Sequence, residues 1–187
     1  GIEVPRSNRD MVRFKELMES QEMQHTKMML PVPIGKDIDG SAIIADIRKM
    51  PHLLIAGATG SGKSVMINTI LTSFLYRNSP SDLKLILIDP KHVELTPYEG
   101  IPHLLTPVIT DAEKCLSALK WSVAEMERRY RLMSALGVRN LAGYNQKVRD
   151  AIKDGTPITH PFSITPDNPE PLEELPLIVI VIDELAD

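Results

Sequence analysis

Residues 57–64 read Gly-Ala-Thr-Gly-Ser-Gly-Lys-Ser, and no other stretch narrows the possible folds as far. Gly57, Gly60 and Gly62 let the backbone take positive φ, and with no Cβ in the way successive N–H groups can turn inward around an anion. The apolar run His52-Leu53-Leu54-Ile55-Ala56 leads into the loop and the apolar stretch from Lys63 to Tyr76 leads out of it. That order predicts a buried strand, a loop and a helix, the setting in which G-x-x-x-x-G-K-[ST] is a phosphate-binding loop. A helix N-terminus there adds partial positive charge where phosphates would sit. Lys63 is the expected partner of the β- and γ-phosphates, and the Ser64 hydroxyl the expected ligand of Mg²⁺. The nucleotide-binding set is therefore Gly57, Ala58, Thr59, Gly60, Ser61, Gly62, Lys63 and Ser64, with ATP or a closely related triphosphate and Mg²⁺ as cofactors.

A second element completes this chemistry. Leu177 to Ile182 is a continuous apolar run that ends in Asp183-Glu184. It reads as a strand delivering two carboxylates to the C-terminal edge of a sheet, where open α/β folds bind ligands. Asp183 is the expected Mg²⁺ residue. Glu184 is placed to polarise a water for attack on the γ-phosphate, so the catalytic pair is Glu184 and Lys63. Leu83 to Ile88 is a third such run, ending in Asp89-Pro90. Asp89 and Lys91 also reach the carboxyl edge, either to sense nucleotide or a neighbouring subunit, or as a plain Asp-Pro turn.

Continuous apolar strands separated by helical segments mean a parallel sheet covered on both faces, an α/β fold in three layers. Thr110 to Leu136 is the long helix, opened by a Thr110/Glu113 capping box, closed at Gly137, with Leu116, Leu119, Val123, Met126, Tyr130 and Met133 in steps of three and four. Ahead of the loop, Ser7 and Asp10 resemble a cap for a helix carrying Val12, Phe14, Leu17 and Met18. Leu30 to Ile47, broken by Asp39-Gly40, is expected to form a hairpin that extends the main sheet. Residues 1–50 would then be an N-terminal extension, and residues 51–187 the first part of the nucleotide-binding core. Gly155 to Pro176, with six prolines, is expected to be a mobile surface loop. The last residue comes five positions after Ile182, so the core is expected to be incomplete at Asp187.

Composition bounds the partners. The chain has 187 residues, 43% hydrophobic and 25% charged, as in soluble globular proteins. No apolar run approaches the roughly 20 residues of a membrane span, and Gly1 reads as a boundary, so any anchor would lie outside this piece. The single cysteine, Cys115, excludes an internal disulfide and is expected to be a small buried hydrophobe. A net charge of −4 argues against a basic-patch nucleic-acid binder but permits contacts through a few loops of a ring. Arg128 and Arg129 invite an arginine-finger reading, but Glu125 favours an exposed intrahelical ion pair. His52, His103 and His160 have no metal-ligand spacing, and Met23 to Met29 reads as packing.

The residues alone reach a Mg-ATPase of RecA-like type. The segments PHLLIAGATGSGKS, LILIDPKHVEL, YEGIPHLL, EMERRYRLMSALGVRNLAGYN and IVIVIDELAD together resemble the motor domain of the FtsK/SpoIIIE family, of the division type, from about Leu30 to Asp187. The resemblance implies a homo-hexameric ring that hydrolyses ATP to pump double-stranded DNA during chromosome segregation at cell division. It implies the roles given above for Gly57 to Ser64, Asp183 and Glu184. It also implies a membrane-anchored N-terminal region and a C-terminal winged-helix DNA reader outside this piece, with DNA-facing loops beyond Asp187. This segment would then lie on the cytoplasmic side of the bacterial inner membrane without touching it, and by itself would be inert. Two other readings stay open: a related motor moving polypeptide in secretion or single-stranded DNA in conjugation, and a small-molecule kinase using the same loop.

Overall fold

The architecture comes from a computed structural model that describes Val4 and residues 10–58, 60–165 and 167–185. Two compact units divide the chain, Gly1–Asn78 and Ser79–Asp187.

The first unit begins with α1 (Phe14–Met18) and α2 (Gln21–Gln24). Ser20 joins them: its hydroxyl donates to the Leu17 carbonyl (2.7 Å) and accepts from the Met23 amide (3.2 Å). Leu17 and Met23 are buried while Val12 is exposed, so the apolar face is shorter than expected. The expected cap at Ser7 lies outside the described residues. β1 (Pro31–Lys36) and β2 (Ala42–Asp46) pair antiparallel, with a register shift between Pro33 and Gly35. Gly40 takes φ 89° in the turn, where Asp39 accepts from the Ser41 amide (3.0 Å). The hairpin is thus present, but it is a sheet of its own and not an extension of the main sheet. α3 (Lys63–Arg77) packs on β1. Its Arg77 guanidinium donates to the Met23 carbonyl at 3.0 Å, tying α3 to α2.

One expected strand is missing. Residues 53–58 are irregular, with Leu53 46% and Leu54 76% exposed. A strand exists through its ladder bonds, and among the described residues no neighbour supplies them to this run. An apolar sequence without a partner strand stays irregular.

The second unit is built on β3 (Leu83–Ile88) and β4 (Leu177–Ile182), parallel and in register from Leu83↔Leu177 to Ile88↔Ile182. On its other side β3 makes single parallel bridges to Leu104 and Ile109. Neighbours on both edges explain why β3 is almost wholly buried. β4 has one neighbour among the described residues and is half-buried along its whole length, against the expectation of burial on both faces. α4 (Ala112–Ala135) lays Cys115 and Ala118 on Ile86, Ile88, Ile109, Ile178, Ile180 and Ile182. Its cap is Asp111, which accepts from the Lys114 amide at 2.8 Å, and not Thr110. The helix ends as expected: Gly137 has φ 68°, its amide donates to Ser134, and the Val138 amide donates to Met133. The 116/119/123/126/130 stripe stays exposed, because α4 turns its 115/118/129/132 side inward.

α5 (Leu141–Lys153) follows, capped by Asn140 on the Gly143 amide at 2.8 Å. Tyr144 and Val148 join Leu132, Leu136 and Leu172 in a second apolar cluster. Leu172 belongs to the proline-rich segment, which is therefore anchored and not simply mobile. The Leu172 amide donates to Ile158 (2.7 Å) and the His160 amide to Glu170 (2.8 Å), closing the excursion at its base. Six prolines remove backbone donors, while the Ser163 and Asn168 amides donate to the His160 and Thr165 carbonyls inside the segment.

Candidate functional site

The glycine-rich loop has a backbone that its glycines alone make easy. Gly60 and Gly62 have φ of 77° and 100°, conformations that L-residues rarely adopt. A side chain on Gly57 would collide with Ser61 Oγ and stand 3.2 Å from its Cβ. The Ser61 amide donates to Ala58 at 2.9 Å, closing a turn inside the loop. Gly62 is the N-cap of α3 and has no side chain with which to cap it. Its ladder starts with the Met66 amide donating to Gly62 at 2.9 Å, so the preceding N–H groups lie ahead of it. A helix N-terminus and positive-φ glycines suit a phosphate chain. Gly57, Ala58, Gly60, Ser61 and Gly62 are exposed, and Lys63 and Ser64 half-buried on the first turn. Thr59 lies outside the described residues.

The carboxylates stand in the second unit, one position past the last β3–β4 pair. The Asp183 amide donates to Ile88 (2.9 Å) and the Asp89 amide to Ile109 (2.8 Å), which carries the ladders one step further. Asp89 and Asp183 are 0% and 2% exposed. Asp89 Oδ2 accepts the Glu94 and Leu95 amides (3.0 and 2.9 Å), and Oδ1 has no hydrogen-bond partner among the described residues. This is more than a plain Asp-Pro turn: the carboxylate is the internal scaffold of the loop after β3. Glu184 is half-buried with φ 58°, and its carboxylate lies 3.9 Å from the Lys91 ammonium. Buried carboxylate oxygen beside a strand end suits a hard cation, which takes oxygen ligands. Among the described residues no group of three or more His, Cys, Asp or Glu could hold a metal, so any such ion would draw on hydroxyl or phosphate oxygens as well.

Arg128 and Arg129 both donate to Glu125 (2.7 and 2.8 Å from Arg128, 2.7 Å from Arg129), so the intrahelical pair is present. It is not exposed as expected: the Glu125 and Arg129 side chains are 12% and 13% exposed. Arg129 also donates to the Pro176 carbonyl at 2.6 Å, immediately before β4. Burial raises the Glu125 carboxyl, but hydrogen bonds and charge from the two arginines outweigh it and hold it below its ordinary value.

A model described as the FtsK/SpoIIIE family matches residues 13–187. The chain belongs to the FtsK/SpoIIIE family. It is 56% identical over 190 residues to the DNA translocase FtsK of Pseudomonas aeruginosa, and 54% identical over 187 residues to DNA translocase FtsK 2 of Neisseria meningitidis. All of this chain is covered in both, but only 23% and 18% of those relatives, so it spans under a quarter of their length. Among solved structures it is similar to the pCW3 conjugation coupling protein TcpA, determined with ATPgS (TM-score 0.62, 30% identity, 86% of this chain and 37% of that one). The cytoplasmic domain of the type VII secretion ATPase EccC of Thermomonospora curvata is also similar (TM-score 0.59, 29% identity, 83% of this chain and 17% of that one). This FtsK/SpoIIIE chain is thus a mixed α/β relative of motor ATPases. No helix among its described residues is long and apolar enough to cross a membrane.

Sequence reasoning passed over Asn140, Tyr144 and Asn145, which organise α5 and the approach to β4. Their signal is a cap residue followed by Tyr144 and Val148 four apart.

Proposed function

We propose that this chain is the nucleotide half of an ATP-driven motor that moves double-stranded DNA in chromosome segregation at cell division. The observation that carries the reading is the family match over residues 13–187 together with 56% identity to a DNA translocase over the whole chain. Residues 51–187 are read as the first part of a three-layer RecA-like core and residues 1–50 as its extension. The working unit is read as a homo-hexamer in the cytoplasm, on a protein anchored in the bacterial inner membrane, with DNA held by loops outside this segment.

In this mechanism Gly57 to Ser64 wrap the triphosphate, and the N-terminus of α3 supplies amide N–H groups and partial positive charge. Lys63 provides the fixed counter-charge for the β- and γ-phosphates. Ser64 and Asp183 would hold Mg²⁺, which when bound neutralises charge on the phosphate oxygens. Glu184 accepts a proton from water as the water oxygen bonds to the γ-phosphorus and the bond to the β–γ bridging oxygen breaks. Fixed positions for charge and water account for most phosphoryl-transfer catalysis. Residues 1–187 alone are expected to turn over little ATP, because β4 has a ladder on one side only among the described residues.

The likeness to TcpA and EccC supports a second reading, a motor for conjugation or secretion. The test is ATPase stimulation of the full-length protein by duplex DNA, single strands and unfolded peptide. Stimulation by duplex alone is expected, abolished by Lys63→Ala. Stimulation by peptide or single strands instead would transfer the assignment to the second reading, and wild-type turnover by Lys63→Ala would remove the loop from the mechanism.

A further inference from the structure

Lys91 and Glu184 stand on neighbouring strand ends. β3 carries Asp89 and, two residues on, Lys91; β4, paired with it in register, carries Asp183 and Glu184. The ammonium and carboxylate are 3.9 Å apart, with the side chains 54% and 37% exposed. That separation is longer than a hydrogen bond, and water reaches both groups, so the attraction is weak and easily exchanged.

The backbone supplies an independent observation. Among the described residues, His92 (φ 57°) and Glu184 (φ 58°) are the non-glycine residues with positive φ. One adjoins Lys91 and the other carries the carboxylate. Such conformations persist where surrounding structure imposes them, and they gather at switching sites. The turn that bears Lys91 is itself braced. Buried Asp89 accepts the Glu94 and Leu95 amides, and the His92 amide donates to the Asp89 carbonyl at 3.2 Å. A lysine on a braced turn therefore faces a carboxylate on a left-handed backbone.

We propose that Lys91 is a positioning residue that restrains Glu184, holding its carboxylate at the end of β3 until DNA engages the motor. The inference rests on reading Glu184 as the general base. A carboxylate drawn to an ammonium is less available to the attacking water, so the pair suppresses turnover without DNA and leaves triphosphate binding untouched.

The experiment uses the full-length protein with and without duplex DNA. Lys91→Met, which keeps the stem and removes the charge, is expected to raise DNA-free kcat about three- to fivefold, as much as an exposed ion pair supplies. KM for ATP and DNA-stimulated kcat are expected to stay within about twofold of wild type, so the stimulation ratio falls. Lys91→Arg should restore the restraint. In a Glu184→Gln background Lys91→Met should change nothing, because the carboxylate it acts on is gone. Unchanged or reduced DNA-free kcat in Lys91→Met, or the same rise in the Glu184→Gln background, would overturn the proposal. Wild-type hydrolysis by Glu184→Gln alone would instead overturn the general-base reading, and the restraint with it. Loss of hydrolysis in Glu184→Gln with no effect of Lys91→Met would overturn the restraint alone.

Discussion

Asn145 and Leu175 exchange two hydrogen bonds of 2.8 Å: Asn145 Nδ2 donates to the Leu175 carbonyl, and the Leu175 amide donates to Asn145 Oδ1. A side-chain amide thus pairs with the main chain as a neighbouring strand would. It fixes the segment entering β4, two residues before Leu177, and Arg129 holds the intervening Pro176 carbonyl from α4. The strand that carries Asp183 and Glu184 is aimed by two helices before its own ladder begins.

Asn145→Ala is accordingly expected to destabilise the protein by about 1–3 kcal/mol, since it strands a part-buried donor and acceptor at Leu175. Urea unfolding of the full-length protein, followed by circular dichroism, would measure it. A change under about 0.5 kcal/mol, the range of ordinary surface substitutions, would mean water replaces the clamp.

Gly57→Ala tests the close packing of the loop. The new methyl would drive Ser61 from its position, and the collision point is a side chain, so the loop gives instead of unfolding. ATP affinity is expected to fall about tenfold, roughly 1.4 kcal/mol, with little change in melting temperature. Ser61→Gly in the same chain should recover most of the loss. Undiminished affinity in Gly57→Ala by calorimetry would contradict the crowded geometry.

Glu184→Gln keeps the side-chain shape and carries the same cost at φ 58°, so its effect should be chemical. Hydrolysis is expected to fall roughly 10²–10⁴-fold with ATP binding retained. Joint loss of binding and turnover in single-turnover assays would instead make Glu184 a structural or cation-holding residue.

Acid should loosen α4 through Glu125. Burial raises its carboxyl, the arginines lower it further than burial raises it, and the net position is below the ordinary value of 4.5. A depressed folded value means the stabilisation is complete above about pH 4.5 and is lost as pH falls through the folded value. Melting temperature should therefore decline below that pH, and Glu125→Gln should flatten this part of the curve while costing about 1–3 kcal/mol at neutral pH. Parallel curves for the two proteins would assign acid sensitivity elsewhere, Glu174 beside Arg149 being the next such carboxyl.

What could be read in the residues alone followed how local the physics was. α3, β3 and β4 were legible because a glycine-rich loop and six-residue apolar runs are written in consecutive positions. The irregular state of Leu53 to Ala56 was not, since burial of an apolar run depends on which strands flank it. At α4, Thr110 and Asp111 both had cap chemistry, and the Lys114 amide decided between them. The proline-rich segment read as loose because composition does not reveal that Leu172 fits beneath Tyr144 or that Asn145 awaits Leu175. Near the candidate site, the strand ends that place Asp183, Glu184, Asp89 and Lys91 at one edge were legible, but the 3.9 Å approach of Lys91 to Glu184 was not: it needs the parallel register of two strands.

That register also sets an order in time. Leu83 and Leu177 pair across roughly ninety intervening residues, and closing so long a loop costs chain entropy before the first ladder bond repays it. α3, α4 and α5 close their bonds over four residues and pay no such toll. In refolding, amides of the three helices should gain exchange protection first and those of Leu177 to Ile182 last. A newly made chain then forms the glycine-rich turn and α3 while Asp183 and Glu184 are still adrift, so the hydrolysis proposed for these carboxylates would become available only after β4 has docked on β3.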